Sequence, residues 1–272
     1  MHFKPDYTIK AKARLVVCGY SQIRNVDYFE TYAPTTNTKV VFTMLMIAMR
    51  HQYKVATFDV SAAFLEGVND VIQYAWIPAE LCDNNNKPLR VKVKGNWYGE
   101  KQGPKIWNDK LDHILKTMGF SRCPSMPCLY LYKDNENIMI ITVHVDDGLI
   151  VTNNDSLIDN FMTAFLSFVQ KAELYRDHRR YLGMDFNIND NNIIVTQQQY
   201  IKEQFNNYNT KVNTPMSSTT NLRTAIPNGN NESLLPVCGR LRYLADRCRP
   251  DILVATGEIS TGGANNPSDQ HV

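Results

Sequence analysis

The hydrophobic positions of the chain switch between a spacing of three or four residues and an alternation of two, which predicts a mixture of helices and strands. Helical spacing predicts helices over Thr38 to Arg50, Pro104 to Gly119, from a Ser156 cap onward, Gln198 to Asn207, and Leu234 to Ile259. Alternating or continuous apolar runs predict strands over Tyr7 to Tyr20, Val55 to Leu65, Val71 to Ile77, Arg90 to Lys94, Ile138 to Thr152 as a hairpin, and Tyr181 to Thr196 as a second hairpin.

The stretch from Ile138 to Thr152 places two acids, Asp146 and Asp147, at the tip of the predicted hairpin. Two β-forming apolar runs flank residues 144–148, which indicates a tight turn. Adjacent carboxylates at such a tip are costly unless their charge is compensated. Solvation of the turn would compensate it, and so would a divalent cation, since Mg²⁺ prefers hard oxygen ligands. The cation requires a third carboxylate from elsewhere in the chain.

Asp59 supplies that third carboxylate, because it is a lone acid within the apolar run from Val55 to Leu65. If its strand neighbours the hairpin, three carboxylates meet in one place. Such a set can hold two cations, the arrangement that clamps the attacking and leaving oxygen atoms in phosphoryl transfer. We therefore predict that Asp59, Asp146 and Asp147 form one site.

Basic residues alternate with apolar ones in two of the predicted strands. Lys10, Lys12 and Arg14 share one face of the first strand, and Arg90, Lys92 and Lys94 share one face of a later strand. A row of this kind is typical of a solvated edge strand, on which cations prevent pairing with another chain. It is equally typical of a surface that binds phosphates. Both interpretations of the first row stay open.

Length, charge, cysteine content and apolar content limit the classes of protein to which the chain can belong. At 272 residues the chain is long enough for a complete core, and a net charge of +2 means that any affinity for nucleic acid must come from local basic stripes. The six cysteines form no dense framework, which favours a reducing, intracellular setting. The longest apolar helical segment, Val40 to Met49, is too short to span a bilayer, so we expect no membrane partner.

Several motifs in chain order resemble the reverse transcriptase of copia-type long-terminal-repeat retrotransposons. They are Lys12 to Val16 with Gly19 and Gln22, Asp27 to Pro34, Phe58 to Leu65, Tyr98 to Pro104 with Trp107, Pro127 to Tyr130 before the acidic hairpin, Tyr181 to Met184, and Arg249 to Ile252. Each motif alone is weak, but their order and spacing agree over nearly the whole chain.

The resemblance implies an α+β fold of the right-hand polymerase type. It has a palm of antiparallel sheet backed by helices, with fingers and a C-terminal helical thumb or connection segment. Residues 1–209 would form fingers and palm, and 234–272 would begin a connection toward an absent ribonuclease H. Residues 210–233 would be a linker, because they are poor in large apolar side chains.

The resemblance also implies roles for individual residues. Asp59, Asp146 and Asp147 would be the catalytic acids, and together with Val60 they would bind two Mg²⁺ ions, with Mn²⁺ as an alternative. The nucleotide-binding residues would be Lys12 and Arg14 at the triphosphate, Phe64 as the gate that crowds a ribose 2′-hydroxyl, and Gln102 at the border of the nucleotide pocket.

Three features depart from the family pattern. His144 stands where the family usually has Tyr and adds a titratable group beside the acids. Glu100 replaces an apolar Leu in a loop that we expect to face nucleic acid. The chain begins inside the fingers and stops at the connection, so we expect a fragment of a polyprotein or a decayed copy.

The predicted function is RNA- and DNA-directed DNA polymerisation on a primed RNA or DNA template, with deoxynucleoside triphosphates as substrates. The alternative is a catalytically inactive remnant that keeps the fold and binds nucleic acid. Another palm-like nucleotidyltransferase or cyclase would explain the acids but not Lys12 to Arg14 or Tyr98 to Pro104. The resemblance implies a cytoplasmic location, in a virus-like particle of an intact element, with the nucleus as an alternative.

Overall fold

The computed structural model describes residues 14–69, 71–78, 89–176, 178–189, 192–206, 212–216 and 233–262. The helices are α1 (Thr38–His51), α2 (Gly103–Thr117), α3 (Asp155–Phe165), α4 (Gln198–Phe205), α5 (Leu235–Ala245) and α6 (Leu253–Gly262). The strands are β1 (Lys54–Val60), β2 (Gln73–Ile77), β3 (Leu89–Val93), β4 (Ser121–Arg122), β5 (Leu129–Lys133), β6 (Ile138–His144), β7 (Asp147–Thr152), β8 (Ala172–Tyr175), β9 (His178–Tyr181), β10 (Met184–Asn189) and β11 (Asn192–Thr196).

The strands form three sheets. The largest has the order β4-β5-β6-β7-β1-β8, a second has the order β11-β10-β9, and β2 and β3 form a two-stranded ribbon. The pairs β4–β5, β5–β6, β2–β3, β9–β10 and β10–β11 are antiparallel. The prediction of antiparallel sheets combined with helices is therefore confirmed, and the assignment of palm, fingers and thumb stays a prediction.

The chain divides into two compact units. The first combines Met1–Thr35, Phe58–Gly148 and Ser156–Glu173, and the second combines Thr36–Thr57, Leu149–Asp155 and Leu174–Val272. The predicted domains, in contrast, are continuous segments of the chain joined by a linker at residues 210–233. Most of that linker lies outside the described residues.

Aromatic side chains form part of the core of the first unit. The ring of Phe58 on β1 lies 5.6 Å from that of Phe161 and 5.5 Å from that of Phe165, both on α3. Phe120 packs edge-on against Phe161 at 5.8 Å. Aromatic pairs at these separations add to the stability that burial alone provides. This packing holds α3 against the end of β1 that carries Asp59.

The predicted helices are largely confirmed, with two corrections. Asn37 caps α1, because its side chain accepts a hydrogen bond from Lys39 N at 2.9 Å. Helix α3 begins at Asp155, so Ser156 lies within its first turn and is not the cap. The single helix predicted over Leu234 to Ile259 is wrong: α5 ends at Ala245 and α6 begins at Leu253, with a 3₁₀ turn at Pro250–Ile252 between them. Proline lacks the backbone donor that a continuous helix needs.

The strand predictions were less complete. Residues 1–13 lie outside the described part of the chain, and Arg14 to Cys18 contributes one isolated bridge, between Val16 and Tyr98. Tyr181 belongs to β9, since the tight turn at Leu182 and Gly183 separates β9 from β10. No helix among the described residues combines the length and the apolar composition that crossing a bilayer requires.

Candidate active site

Asp59 and the acidic hairpin lie on neighbouring strands of the largest sheet. Asp59 is next to the last residue of β1, while Asp146 precedes β7 and Asp147 begins it. The backbone N–H of Val60 donates a hydrogen bond to the carbonyl oxygen of Asp146 at 2.9 Å. The end of β1 is thus joined directly to the turn of the hairpin. All three acids are partly exposed, as is His144 at the end of β6.

The turn between β6 and β7 contains a strained residue that is held from outside the hairpin. Val145 has a φ of 61°, a left-handed conformation that is a genuine outlier for a β-branched side chain. The indole N–H of Trp107 donates to the carbonyl oxygen of Val145 at 2.6 Å. Trp107 is itself 1% exposed within α2. Helix α2 therefore fixes the turn that presents Asp146.

Gly148 allows the hairpin to approach β1 closely. A Cβ atom at this position would lie 2.1 Å from Cε1 of Phe58 and 2.2 Å from its Cζ. Phe58 is 1% exposed and its ring already contacts α3, so it has no room to move away. The glycine that follows the two acids is therefore required by packing.

The donor atoms fit a magnesium ion, but the expected convergence of three carboxylates is not observed. Within the described ranges, no three His, Cys, Asp or Glu side chains are placed to hold a metal ion together. Magnesium is commonly bound by one or two carboxylates with water and substrate phosphates completing the shell. Asp59 on β1 and Asp146 in the turn before β7 are both partly exposed, and they provide hard oxygen atoms of that kind.

Phe64 lies on a short 3₁₀ turn, Ala63–Glu66, that follows β1. Its half-buried ring packs edge-on against Tyr98 at 6.2 Å. The turn is anchored by Glu66, whose carboxylate accepts hydrogen bonds from Lys110 Nζ at 2.8 Å and from Gln170 N at 2.7 Å. Sequence reasoning missed this anchor, since both donors lie far along the chain.

Arg14 is the only predicted triphosphate residue in the described part of the chain, because Lys12 lies outside it. Arg14 is exposed, and its guanidinium carbon lies 5.4 Å from the centroid of the Tyr98 ring. Cation–π contact of this kind orients the arginine without neutralising it. Tyr98 thus contacts both Arg14 and Phe64, two residues for which the family resemblance implies separate roles at the nucleotide.

Gln102 and Glu100 are buried in the loop that precedes α2, with 3% and 5% exposure. The amide of Gln102 bonds to Asn69 and Gln22, so the residue contacts protein rather than open solvent. That the loop faces nucleic acid stays a prediction, but the loop presents no exposed charge at Glu100. Its carboxylate accepts hydrogen bonds from Trp97 N and from Asn69, which keeps it inside the loop.

The β2–β3 ribbon carries an exposed face of aromatic and basic side chains. Tyr74 is opposite Lys92 and Trp76 is opposite Arg90 in the register of the ribbon, and all four are exposed. The guanidinium carbon of Arg90 lies 4.6 Å from the centroid of the Tyr74 ring. Interleaved cations and aromatic rings are typical of surfaces on which single-stranded nucleic acid stacks.

An antiparallel sheet with an acidic hairpin beside a further acid is the arrangement expected of a nucleic-acid polymerase. Comparison with known families identifies the chain more closely. Residues 3–221 match the family described as reverse transcriptase (RNA-dependent DNA polymerase), and the chain belongs to that family.

The relatives of the chain include Pol polyproteins of copia-type transposons. It is 29% identical to the retrovirus-related Pol polyprotein from transposon TNT 1-94 of Nicotiana tabacum, over 97% of this chain and 21% of that protein. It is 28% identical to the corresponding polyprotein from transposon RE1 of Arabidopsis thaliana, over 96% of this chain and 18% of that protein. The chain therefore spans about a fifth of the length of these relatives.

Proposed function

We propose that the chain is an RNA- and DNA-directed DNA polymerase domain, which adds deoxynucleotides to the 3′-hydroxyl of a primer. The observation that supports this most directly is the hydrogen bond from Val60 N to the carbonyl oxygen of Asp146, because it brings Asp59 beside Asp146 and Asp147. Membership of the reverse transcriptase family makes polymerisation the natural chemistry for those acids.

In this reaction the primer 3′-oxygen attacks the α-phosphorus of the bound triphosphate, a new P–O bond forms, and pyrophosphate leaves. Asp59, Val60, Asp146 and Asp147 would hold two Mg²⁺ ions, which when bound supply charge stabilisation at the attacking and leaving oxygen atoms. Arg14, and Lys12 outside the described residues, would bind the triphosphate. Most of the rate would come from positioning and electrostatics, since phosphoryl transfer leaves little covalent chemistry to the protein.

The direct test is extension of a primer annealed to an RNA or a DNA template, with and without Mg²⁺, by the isolated chain. We expect metal-dependent incorporation of deoxynucleotides on both templates. A folded preparation that binds primed template and incorporates nothing would reject the proposal.

Replacing Phe64 by Val should increase incorporation of ribonucleotides. Phe64 lies five residues beyond Asp59, and its ring is held by Tyr98, so a smaller side chain leaves room beside the sugar. A single steric contact of this size discriminates by roughly 10–200-fold, so a loss of about tenfold in sugar selectivity is expected. The measurement is the ratio of kcat/KM for dNTP and rNTP. Leu65→Val, at an exposed neighbouring position, is the control and should leave the ratio unchanged.

A second function is nucleic-acid binding without catalysis, in a remnant that keeps the fold. Two observations favour it: the described residues contain no group of three acids placed for a metal ion, and the β2–β3 ribbon presents Tyr74, Trp76, Arg90 and Lys92 on one exposed face. Binding without extension would identify this case.

Removing the cations of the ribbon should weaken binding of a single-stranded oligonucleotide and reduce its dependence on salt. For Arg90→Ala with Lys92→Ala, the slope of log K against log salt should fall by about 1.4, because each lost phosphate contact contributes about 0.7 on single strands. Trp76 is 69% exposed, whereas Trp107 is 1% exposed, so quenching of Trp76 fluorescence reports the binding. Lys39→Ala with Lys133→Ala removes two exposed charges elsewhere and is the control. An equal loss of slope in both double variants would show that the cations of the ribbon contribute no more to oligonucleotide binding than exposed lysines elsewhere.

A further inference from the structure

The loop before α2 contains a buried acid that is held without a cationic partner among the described residues. Glu100 is 5% exposed. Its Oε2 accepts a hydrogen bond from Trp97 N at 3.1 Å, and both carboxylate oxygen atoms accept from Asn69 Nδ2, at 3.1 and 3.2 Å. Burial raises the pKa of Glu100 above its ordinary value, and the bonds from Trp97 and Asn69 oppose that rise.

A chain of side-chain amides leads away from this carboxylate. Oδ1 of Asn69 accepts from Gln102 Nε2 at 3.1 Å. Oε1 of Gln102 accepts from Gln22 Nε2 at 3.0 Å, and Oε1 of Gln22 accepts from the backbone N–H of Lys101 at 2.8 Å. We refer to Asn69, Gln102 and Gln22 as the amide relay. The relay starts at Glu100 and returns to the next residue of the same loop.

Every bond in the amide relay donates toward Glu100, because the carboxylate at one end can only accept and the backbone N–H of Lys101 at the other end can only donate. A carboxylate can only accept hydrogen bonds, so Asn69 must present its NH₂ group to Glu100 and its oxygen to Gln102. Gln102 must then donate to Asn69 and accept from Gln22, which leaves the oxygen of Gln22 for Lys101 N. A neutral side chain at position 100 can also donate, so it removes the constraint at one end of the relay and leaves Asn69 with the carbonyl oxygen of Gly95, to which its Nδ2 donates at 3.2 Å, as its remaining acceptor.

We propose that Glu100 is a positioning residue, which orients the amide relay and thereby holds the loop before α2 in the position that nucleotide binding requires. The inference rests on the proposed polymerase function and adds to it. Gln102, assigned to the nucleotide pocket by resemblance, acts through its place in the relay. Lys101 is held by the same network, since its Nζ donates to the carbonyl oxygen of Gln22 at 3.1 Å.

The first test follows the side-chain resonances of the amide relay and does not depend on polymerase activity. In protein labelled with ¹⁵N in Asn and Gln side chains, acid titration of the wild type should shift the NH₂ resonances of Asn69, Gln102 and Gln22 with one common midpoint, above the ordinary value for a glutamate. Glu100→Gln should abolish that common transition, while Glu136→Gln, at an exposed position, should preserve it. Separate midpoints in the wild type, or an unchanged transition in Glu100→Gln, would overturn the proposal.

The second test reads the consequence for nucleotide binding. Glu100→Gln should raise the nucleotide KM in primer extension by about tenfold, the size expected for loss of one hydrogen bond to a charged group, and leave the Kd for primed template unchanged. A wild type without extension activity would reject the proposed function, and the resonance test would still decide on the relay. An active Glu100→Gln with the wild-type KM would overturn the positioning role.

A double variant tests whether the loop needs the relay. Glu100→Leu removes the acceptor of Trp97 N and one acceptor of Asn69, and Glu100→Leu with Asn69→Leu also removes the acceptor of the buried Gln102 Nε2, so both variants should unfold at lower denaturant than the wild type. The double variant should still show a raised nucleotide KM, because Gln102 has lost Asn69. Recovery of the wild-type KM in the double variant would show that the loop does not need the relay.

Discussion

Asp59→Asn should abolish primer extension without unfolding the protein. The substitution keeps the size of the side chain and removes the charge that would hold a metal ion beside Asp146. Loss of one preorganised electrostatic contact costs about 10²–10³ in rate, so we expect extension to fall by at least about a hundredfold. The measurements are single-nucleotide extension at saturating Mg²⁺, with the urea unfolding midpoint as the check on folding.

The control for this variant is Asp159→Asn, which removes the same charge from an exposed position on α3. It should extend primers like the wild type. A metal titration completes the design, because Asp59→Asn should bind Mn²⁺ more weakly than either of these proteins. Wild-type extension by folded Asp59→Asn would show that the acid on β1 takes no part in catalysis.

Gly148→Ala should strongly destabilise the protein, because a methyl group at this position has no space in the core. The new Cβ would lie 2.1 Å from Cε1 of Phe58, so the hairpin must move away from β1 or the ring must leave its place against α3. Overpacking of a filled core costs about 1–3 kcal/mol, and the closeness of this contact places the expected loss at about 3 kcal/mol. Urea unfolding followed by far-UV circular dichroism measures it.

Gly239→Ala is the matched control, because it adds the same methyl group in α5 at a site where nothing beyond its chain neighbours and the backbone of its own helix lies within 4 Å. Alanine is the better helix former by about 1 kcal/mol, so this variant should be slightly more stable than the wild type. Equal destabilisation by both substitutions would mean that the contact with Phe58 is not what requires glycine at position 148.

Local pattern was enough to predict the elements whose apolar face is continuous. Helices α1 and α2 were predicted within two residues of their observed ends, and the 138–152 hairpin was predicted as such. The break between α5 and α6 was missed although Pro250 indicates it. The helix had been predicted from the spacing of apolar residues alone, and the prediction was extended past the proline.

The environment of single side chains could not be predicted in the same way. Glu100 was expected to be a charge in a loop that faces nucleic acid, because Tyr98 to Pro104 resembles the corresponding loop of the reverse transcriptase family. Its burial depends on Asn69, which lies 31 residues earlier. The support of the hairpin turn depends on Trp107, which lies 38 residues before Val145 and was noted in the sequence only beside the motif from Tyr98 to Pro104.

The sequence by itself determined that acids would stand at the end of an apolar strand and at the tip of a hairpin, because strand periodicity and turn chemistry are local properties. The tertiary structure decided that Val60 bonds to Asp146, that Gly148 packs on Phe58, and that Glu100 begins the amide relay. Each of those contacts joins segments that are distant along the chain. Their formation depends on which strands become neighbours and on which polar groups are buried together. The spacing of apolar residues along the chain contains no information about either.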